Sequence, residues 1–240
     1  VNKNGTVTGL KKGTVTITAK VGSKKYKCKV KVTKTPTFKT NIKKAYLDKD
    51  GYYVVEGYVK NQTYTKLDST SIKVTLYDKK GKKLGETSRY IDYMDARGQW
   101  KVKVKIYVGK NANVASYKTT VSGRYFTRSR YNPNITAKVK KLKKDGNRYS
   151  TTVKYTNKNN VKLTSMYATY VFYDKKGNIV KTYFDGWRAN YVSSTTGKKV
   201  KGELGKGLKK NKSFTATNTV ISIDYDIASC KIAEAHGYDL

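Results

Sequence analysis

The 240-residue chain has one His, two Cys, two Pro and only 16 Asp plus Glu. One His and two Cys about 200 residues apart leave little material for a zinc site or a Cys/His catalytic pair. Neither a metal nor a cofactor is expected. The same distance argues against a disulfide between Cys28 and Cys230. No apolar run approaches the roughly 20 residues that span a bilayer, so membrane insertion is not expected. After Val1 the chain opens on a turn-rich segment and not on a basic-then-apolar leader; any export signal is expected to precede it.

Basic charge, by contrast, is plentiful. Lys plus Arg total 52, for a formal net charge of +36, and only seven of the 52 are Arg. Arg reads phosphate and guanine bidentately, so a Lys excess points to diffuse attraction rather than geometric recognition. The candidate partners are polyanions: nucleic acid, teichoic acid, acidic polysaccharide or a membrane surface. The charge is uneven. Val1 to Leu47 holds thirteen Lys and no acid, and Ala96 to Lys144 holds ten Lys, four Arg and no acid. The 37% hydrophobic and 12% aromatic content is enough for packed cores, which excludes a disordered basic tail.

Period-2 alternation runs through the chain, and helix signals are nearly absent. Val15, Ile17, Ala19 and Val21 alternate with Thr and Lys. Tyr26, Cys28, Val30 and Val32 alternate with Lys27, Lys29 and Lys31, and Trp100, Val102, Val104 and Ile106 with Lys101, Lys103 and Lys105. Such alternation marks half-buried antiparallel strands. It places Cys28 and Trp100 in cores and the two Lys triplets in exposed rows, which either attract anionic chains or keep an edge-rich β protein soluble and unaggregated. Gly-containing turns separate the strands.

Tyr77-Asp78-Lys79-Lys80-Gly81 recurs identically as Tyr173-Asp174-Lys175-Lys176-Gly177, 96 residues later. Upstream, Asn61 matches Asn157 at the same offset, and Asp50-Gly51 matches Asp145-Gly146 with one residue of slip. The strand before the motif carries Ile72/Val74/Leu76 in one copy and Ala168/Tyr170/Phe172 in the other. Pro36 and Pro133 bracket the first copy, and Pro favours junctions over central strands. The chain therefore divides into residues 1–34, 37–131 and 132–240, the last two being copies of one sandwich-sized unit.

The first segment carries Asn4-Gly5-Thr6-Val7-Thr8-Gly9-Leu10, Gly13-Thr14-Val15-Thr16-Ile17-Thr18-Ala19 and Tyr26 to Val32. It resembles the C-terminal part of a bacterial Ig-like group 2 (Big2) domain, which implies the end of a longer domain. The two copies, with Val74-Thr75-Leu76-Tyr77-Asp78 and Val171-Phe172-Tyr173-Asp174, resemble the FxLYD-type Ig-like module of Gram-positive exported proteins. The polar stretch from Ser193 to Lys212 departs from that pattern and leaves the last strands of the second copy open. Together the resemblances imply an all-β chain of tandem antiparallel Ig-like β-sandwiches with a partial Ig-like unit at the N-terminus. They imply no catalysis, and an extracellular, cell-surface or cell-wall setting.

Several constellations compete with blander readings. Asp48-Lys49-Asp50-Gly51 looks like a calcium-loop core, but Tyr46 stands where the first ligand belongs, so a β-turn is expected. Asp92 with Asp95 has the makings of a glycosidase carboxylate pair, yet nothing else supports a hydrolase and a solvated loop is expected. Asp224 and Asp226 are read the same way, and His236 as a lone surface His. Glu56, with the many Lys and Asn, supplies the residue types of a Lys–Asn isopeptide crosslink. Trp187 lies in the non-alternating Phe184-Asp185-Gly186-Trp187-Arg188. With Tyr183, Arg188 and Tyr191 it is the candidate ligand-contacting loop, against packing within its own loop.

The expected function is a non-catalytic exported or surface module: a spacer, adhesion unit or binder of an anionic cell-wall polymer, a polysaccharide or a host surface protein. The alternatives are an accessory region of a secreted wall-active or polysaccharide-degrading enzyme, and a basic nucleic-acid-binding protein. The last is disfavoured because no zinc finger, RNP-type motif or basic recognition helix is visible.

Overall fold

The computed structural model describes residues 7, 13–32, 38–125 and 132–239. Pro36, the opening Asn4 to Leu10 motif apart from Val7, and the junction at 126–131 lie outside these residues. Among the described residues the chain is all-β and folds as two compact units, divided between Thr37 and Phe38.

The first unit is a hairpin of β1 (Gly13–Val21) and β2 (Lys24–Val32), with Ile17 opposite Cys28 and Val15 opposite Val30. The alternation does place these apolar residues on one face. That face is not a core, however: Cys28 is exposed, as are Val15 and Tyr26. The expectation of a buried Cys28 is corrected, because among the described residues of this unit the two-stranded hairpin has no second sheet to pack against. Lys27 and Lys29 are exposed; Lys31 lies in β2 with its side chain outside the described part.

The second unit holds the repeat. Its first half comprises β3 (Phe38–Leu47), β4 (Tyr52–Asn61), β5 (Leu67–Tyr77), β6 (Lys83–Ile91), β7 (Gln99–Tyr107) and β8 (Ser116–Tyr125). The second comprises β9 (Ile135–Asp145), β10 (Arg148–Asn157), β11 (Ser165–Tyr173), β12 (Ile179–Arg188), β15 (Ser213–Ile221) and β16 (Ser229–Tyr238), with the short β13 (Tyr191–Val192) and β14 (Lys199–Val200) inserted. The strand orders are β7-β4-β3 and β6-β5-β8 in the first half, β15-β10-β9 and β12-β11-β16 in the second. The two topologies are identical, and the polar stretch from Ser193 to Lys212 leaves the second sandwich complete.

Each half encloses one core between its two sheets. In the first, Val55, Val59, Ile72, Val74, Leu76, Trp100, Val102 and Val104 meet; in the second, Tyr149, Val153, Tyr155, Ala168, Tyr170 and Phe172. The sandwiches do not hang as separate beads. Ile179 of β12 pairs with Trp100 of β7 in parallel, joining two three-stranded sheets into one of six. Val171 and Ile179 pack into the core of the first sandwich. The face of β11 opposite its own core is thus also buried, which is why β11 reads as a nearly continuous apolar run.

The duplicated motif closes equivalent hairpins. Asp78 Oδ1 accepts from the Lys80 and Lys82 amides, and Asp174 Oδ1 from those of Lys176 and Asn178. Gly81 and Gly177 sit at φ of 77° and 75°, where a Cβ would be strained. Asp48-Lys49-Asp50-Gly51 is a third copy of this turn, with Asp48 Oδ1 accepting from Asp50 and Tyr52. Asp145-Gly146 belongs to a tighter hairpin in which only Gly146 and Asn147 lie between the strands. It closes the β9–β10 hairpin, which corresponds to the β3–β4 hairpin holding Asp50-Gly51, by a different turn.

Candidate functional site

The strand alternation that builds the cores leaves Lys101, Lys103 and Lys105 on the outer face of β7. In the second sandwich the turn after β15, from Ile221 to Tyr225, reaches this face. Between them, closed by the ends of β6 and β12, lies a groove of about 570 Å³. Arg89, Lys101, Lys103 and Lys181 contribute positive charge to its lining, Asp92 and Asp224 negative charge, and Tyr90, Tyr183, Phe184 and Tyr225 contribute rings. Tyr90 is 73% exposed and Phe184 49%. Phe184 stacks one face on Tyr167 at 5.7 Å and leaves the rest of its ring accessible. Exposed rings of this size on a sandwich surface suit ligand contact.

The cations differ in availability. Lys103 is committed: it pairs with Glu56 at 3.2 Å and with Asp224 at 3.5 Å. Burial opposes its charge, but the Glu56 bond and both carboxylates outweigh that and hold its pKa above the ordinary value. Lys101 lies over the Tyr225 ring at 4.7 Å. Burial, with Asp224 next, pushes the Tyr225 phenol far up, so it stays a neutral donor. Lys105 is exposed. The expected open row of three is thus corrected to one exposed lysine, one held on a ring and one already ion-paired. Glu56 is occupied by Lys103 across the strand pair.

The candidate loop is split by the structure. Trp187 is only 5% exposed; it packs against Tyr155 at 5.2 Å and Phe214 at 5.6 Å. It pairs with Met166 as Ile91 pairs with Thr70, the two ladders being 96 residues apart. Its role as a ligand platform is corrected to that of a core residue, and the repeat offset to Ile91 was the signal for it. Tyr183 does line the groove, half-buried against Tyr170. Arg188 and Tyr191 stand apart from it, cation on ring at 5.9 Å. Tyr191 borders a second recess with Lys199 and Lys201 in the β13–β14 insertion. Arg89, Tyr90, Lys181 and Phe184 were not singled out in the sequence, because the groove exists only where two sandwiches meet.

Asp95 is not in a solvated loop. Its carboxylate accepts from Tyr93 at 3.1 Å, from Tyr173 at 2.9 Å and from Lys231 at 2.8 Å. Burial opposes its ionisation, but the bonds from Lys231 and Tyr173, the Lys231 charge and the Tyr93 bond prevail and hold its pKa below the usual carboxylate value. Asp92 Oδ2 accepts from Thr182 of the second sandwich. Both aspartates clamp the junction. His236 is likewise no surface residue: it is 5% exposed and stacked on Tyr167. Among the described residues no group of three or more His, Cys, Asp or Glu is placed to hold a metal.

No family model and no curated protein matches the chain. Among solved structures, red sea bream transglutaminase matches at 10% identity and a TM-score of 0.27. The match covers 78% of this chain and 27% of that one.

Proposed function

We propose that the chain is a non-catalytic, exported or cell-surface module of tandem Ig-like sandwiches that holds an anionic polymer. The observation that carries this reading is the groove between the sandwiches, where Arg89, Lys101 and Lys181 stand beside the exposed rings of Tyr90 and Phe184. Cations fix the acidic groups of such a polymer, and rings cover the apolar faces of its sugars. The excess of Lys across the surface adds long-range attraction, screened beyond about 8 Å at physiological salt. The shared six-stranded sheet at the junction suits a spacer that displays the groove away from its anchorage.

The test is binding of the purified chain to teichoic acid, heparin and a neutral glucan across a salt series. Binding to both polyanions is expected, weakening steeply with salt, with little retention on the glucan. Salt-insensitive binding, or preference for the neutral glucan, defeats the reading.

A further inference from the structure

The groove does not end at its own rim. Ile221, one of its lining residues, is the last residue of β15 and pairs with Arg148. The register places Ser213, Thr215, Thr217, Thr219 and Ile221 on the face of the β15-β10-β9 sheet turned away from the core, since Ala216 and Val220 point into it. On the same face, Ser150 Oγ meets Thr219 Oγ1 at 3.0 Å, Thr152 meets Thr217 at 2.9 Å and Thr156 meets Ser213 at 2.9 Å. Each hydroxyl pair uses one proton and leaves further donor and acceptor capacity toward solvent. Beside this ladder β9 sets lysines: Lys143 opposite Ser150, Lys141 opposite Thr152, and Lys138 opposite Lys154. All four lysines are exposed.

The equivalent face of the first sandwich is built otherwise. There Glu56 matches Thr152 at the repeat offset and neutralises Lys103, while Tyr58 matches Lys154. In the second sandwich the one carboxylate on this face is Asp145, at its end and opposite Arg148. Among the described residues the second face thus has cations and hydroxyls in rows, with its one anion, Asp145, set at the end opposite Arg148 and away from Lys138, Lys141 and Lys154.

We infer that this face is a track, continuous with the groove, for an extended acidic polysaccharide. The chain's sugar hydroxyls would bond the Thr/Ser ladder and its carboxylates the Lys138, Lys141, Lys143 and Lys154 row. From Ser213 to Ile221, β15 spans about 27 Å at ~3.4 Å per residue, enough for several sugar units beyond the groove. Hydroxyl ladders fit sugar alcohols, and exposed ammonium groups attract the acidic groups of the chain. The one Arg of this face, Arg148, stands opposite Asp145, and among its described residues the face has no aromatic ring on which a nucleobase could stack. The inference rests on the proposed polyanion reading and extends it to ligand class and length.

The experiment measures affinity for oligo-uronates of increasing length, using the whole chain in three forms. These are the unaltered protein, a groove variant (Arg89→Ala with Lys181→Ala) and a track variant (Lys141→Ser with Lys143→Ser and Lys154→Ser). The unaltered protein is expected to bind more tightly as length grows past what the groove holds. The track variant should keep its affinity for the shortest binders and lose about tenfold or more for the longest. The groove variant should weaken at every length. If the track variant matches the unaltered protein at every length, the track is wrong while the groove stands. If the unaltered protein binds no acidic polymer, the functional reading itself fails. Tighter binding to single-stranded DNA of equal charge overturns the sugar assignment.

Discussion

Single residues carry a disproportionate share of the repeat. Asn61 and Asn157 are both fully buried at the ends of matching strands. Asn61 Nδ2 donates to the carbonyls of Thr65 and Asp95, and its Oδ1 accepts from the Thr63 amide. Asn157 does the same with Val161, Leu208 and Asn159. Each ties two separate loops to a strand end. A buried polar group left without its partner costs about 1–3 kcal/mol. Asn61→Ala and Asn157→Ala should therefore each lower unfolding stability by about 2–3 kcal/mol, read from denaturant midpoints, while Asn61→Asp, which cannot donate to the two carbonyls, should not rescue. A loss under about 0.5 kcal/mol at either site would show that the loops are held by other means.

Among the elements, the two matching hairpins differ in what surrounds them. The Asp78 turn projects from the β6-β5-β8 sheet, and its bonds are exposed. The Asp174 turn lies at the junction: Asn178 Nδ2 also donates to Asp174, while its Oδ1 accepts from Gln99 of the first sandwich. Burial opposes the Asp174 charge, yet the Asn178 and Lys176 bonds hold its pKa below the ordinary value. Removing an exposed turn bond costs little, and a partly buried one more. Asp78→Ala is expected to cost about 0.5–1 kcal/mol and Asp174→Ala about 1–2 kcal/mol, compared by urea unfolding under one condition. Equal losses would mean that the junction adds nothing to the second turn.

At the scale of the molecule, the Asp95 cluster joins the two sandwiches, and the groove depends on that joint. Asp95 has a folded-state pKa below its unfolded value of about 3.9. Such a group contributes stability above the unfolded pKa and loses it as pH falls through the lower folded one. Asp95→Asn should therefore cost about 1–2 kcal/mol at pH 7, the solvent access of Lys231 limiting the loss. The gap between the variant and the unaltered chain should close on acidification below about pH 4. Denaturant midpoints of both proteins from pH 7 to pH 2.5 provide the check. A gap that persists unchanged at pH 2.5 would remove the charge from the account.

Much of this was legible in the chain itself. Strand alternation identified Trp100, Val102, Val104 and Ile106 as core, because a pleated strand has a period of two whatever it packs on. The 96-residue offset marked equivalent hairpins, because a turn needing an Asp acceptor and a left-handed Gly leaves a local signature. Other features depend on which surfaces meet, and no local pattern states that. Alternation sorts Cys28 and Tyr26 to one face but does not supply a sheet to cover it. It sorts Lys103 outward but does not reveal that Glu56 and Asp224 wait there. Asp95 read as a loop residue until Lys231, 136 positions away, was brought against it. The groove, the clamp and the track's continuity with the groove arise from long-range contacts between two copies of one unit, and only the tertiary structure decides how those copies dock.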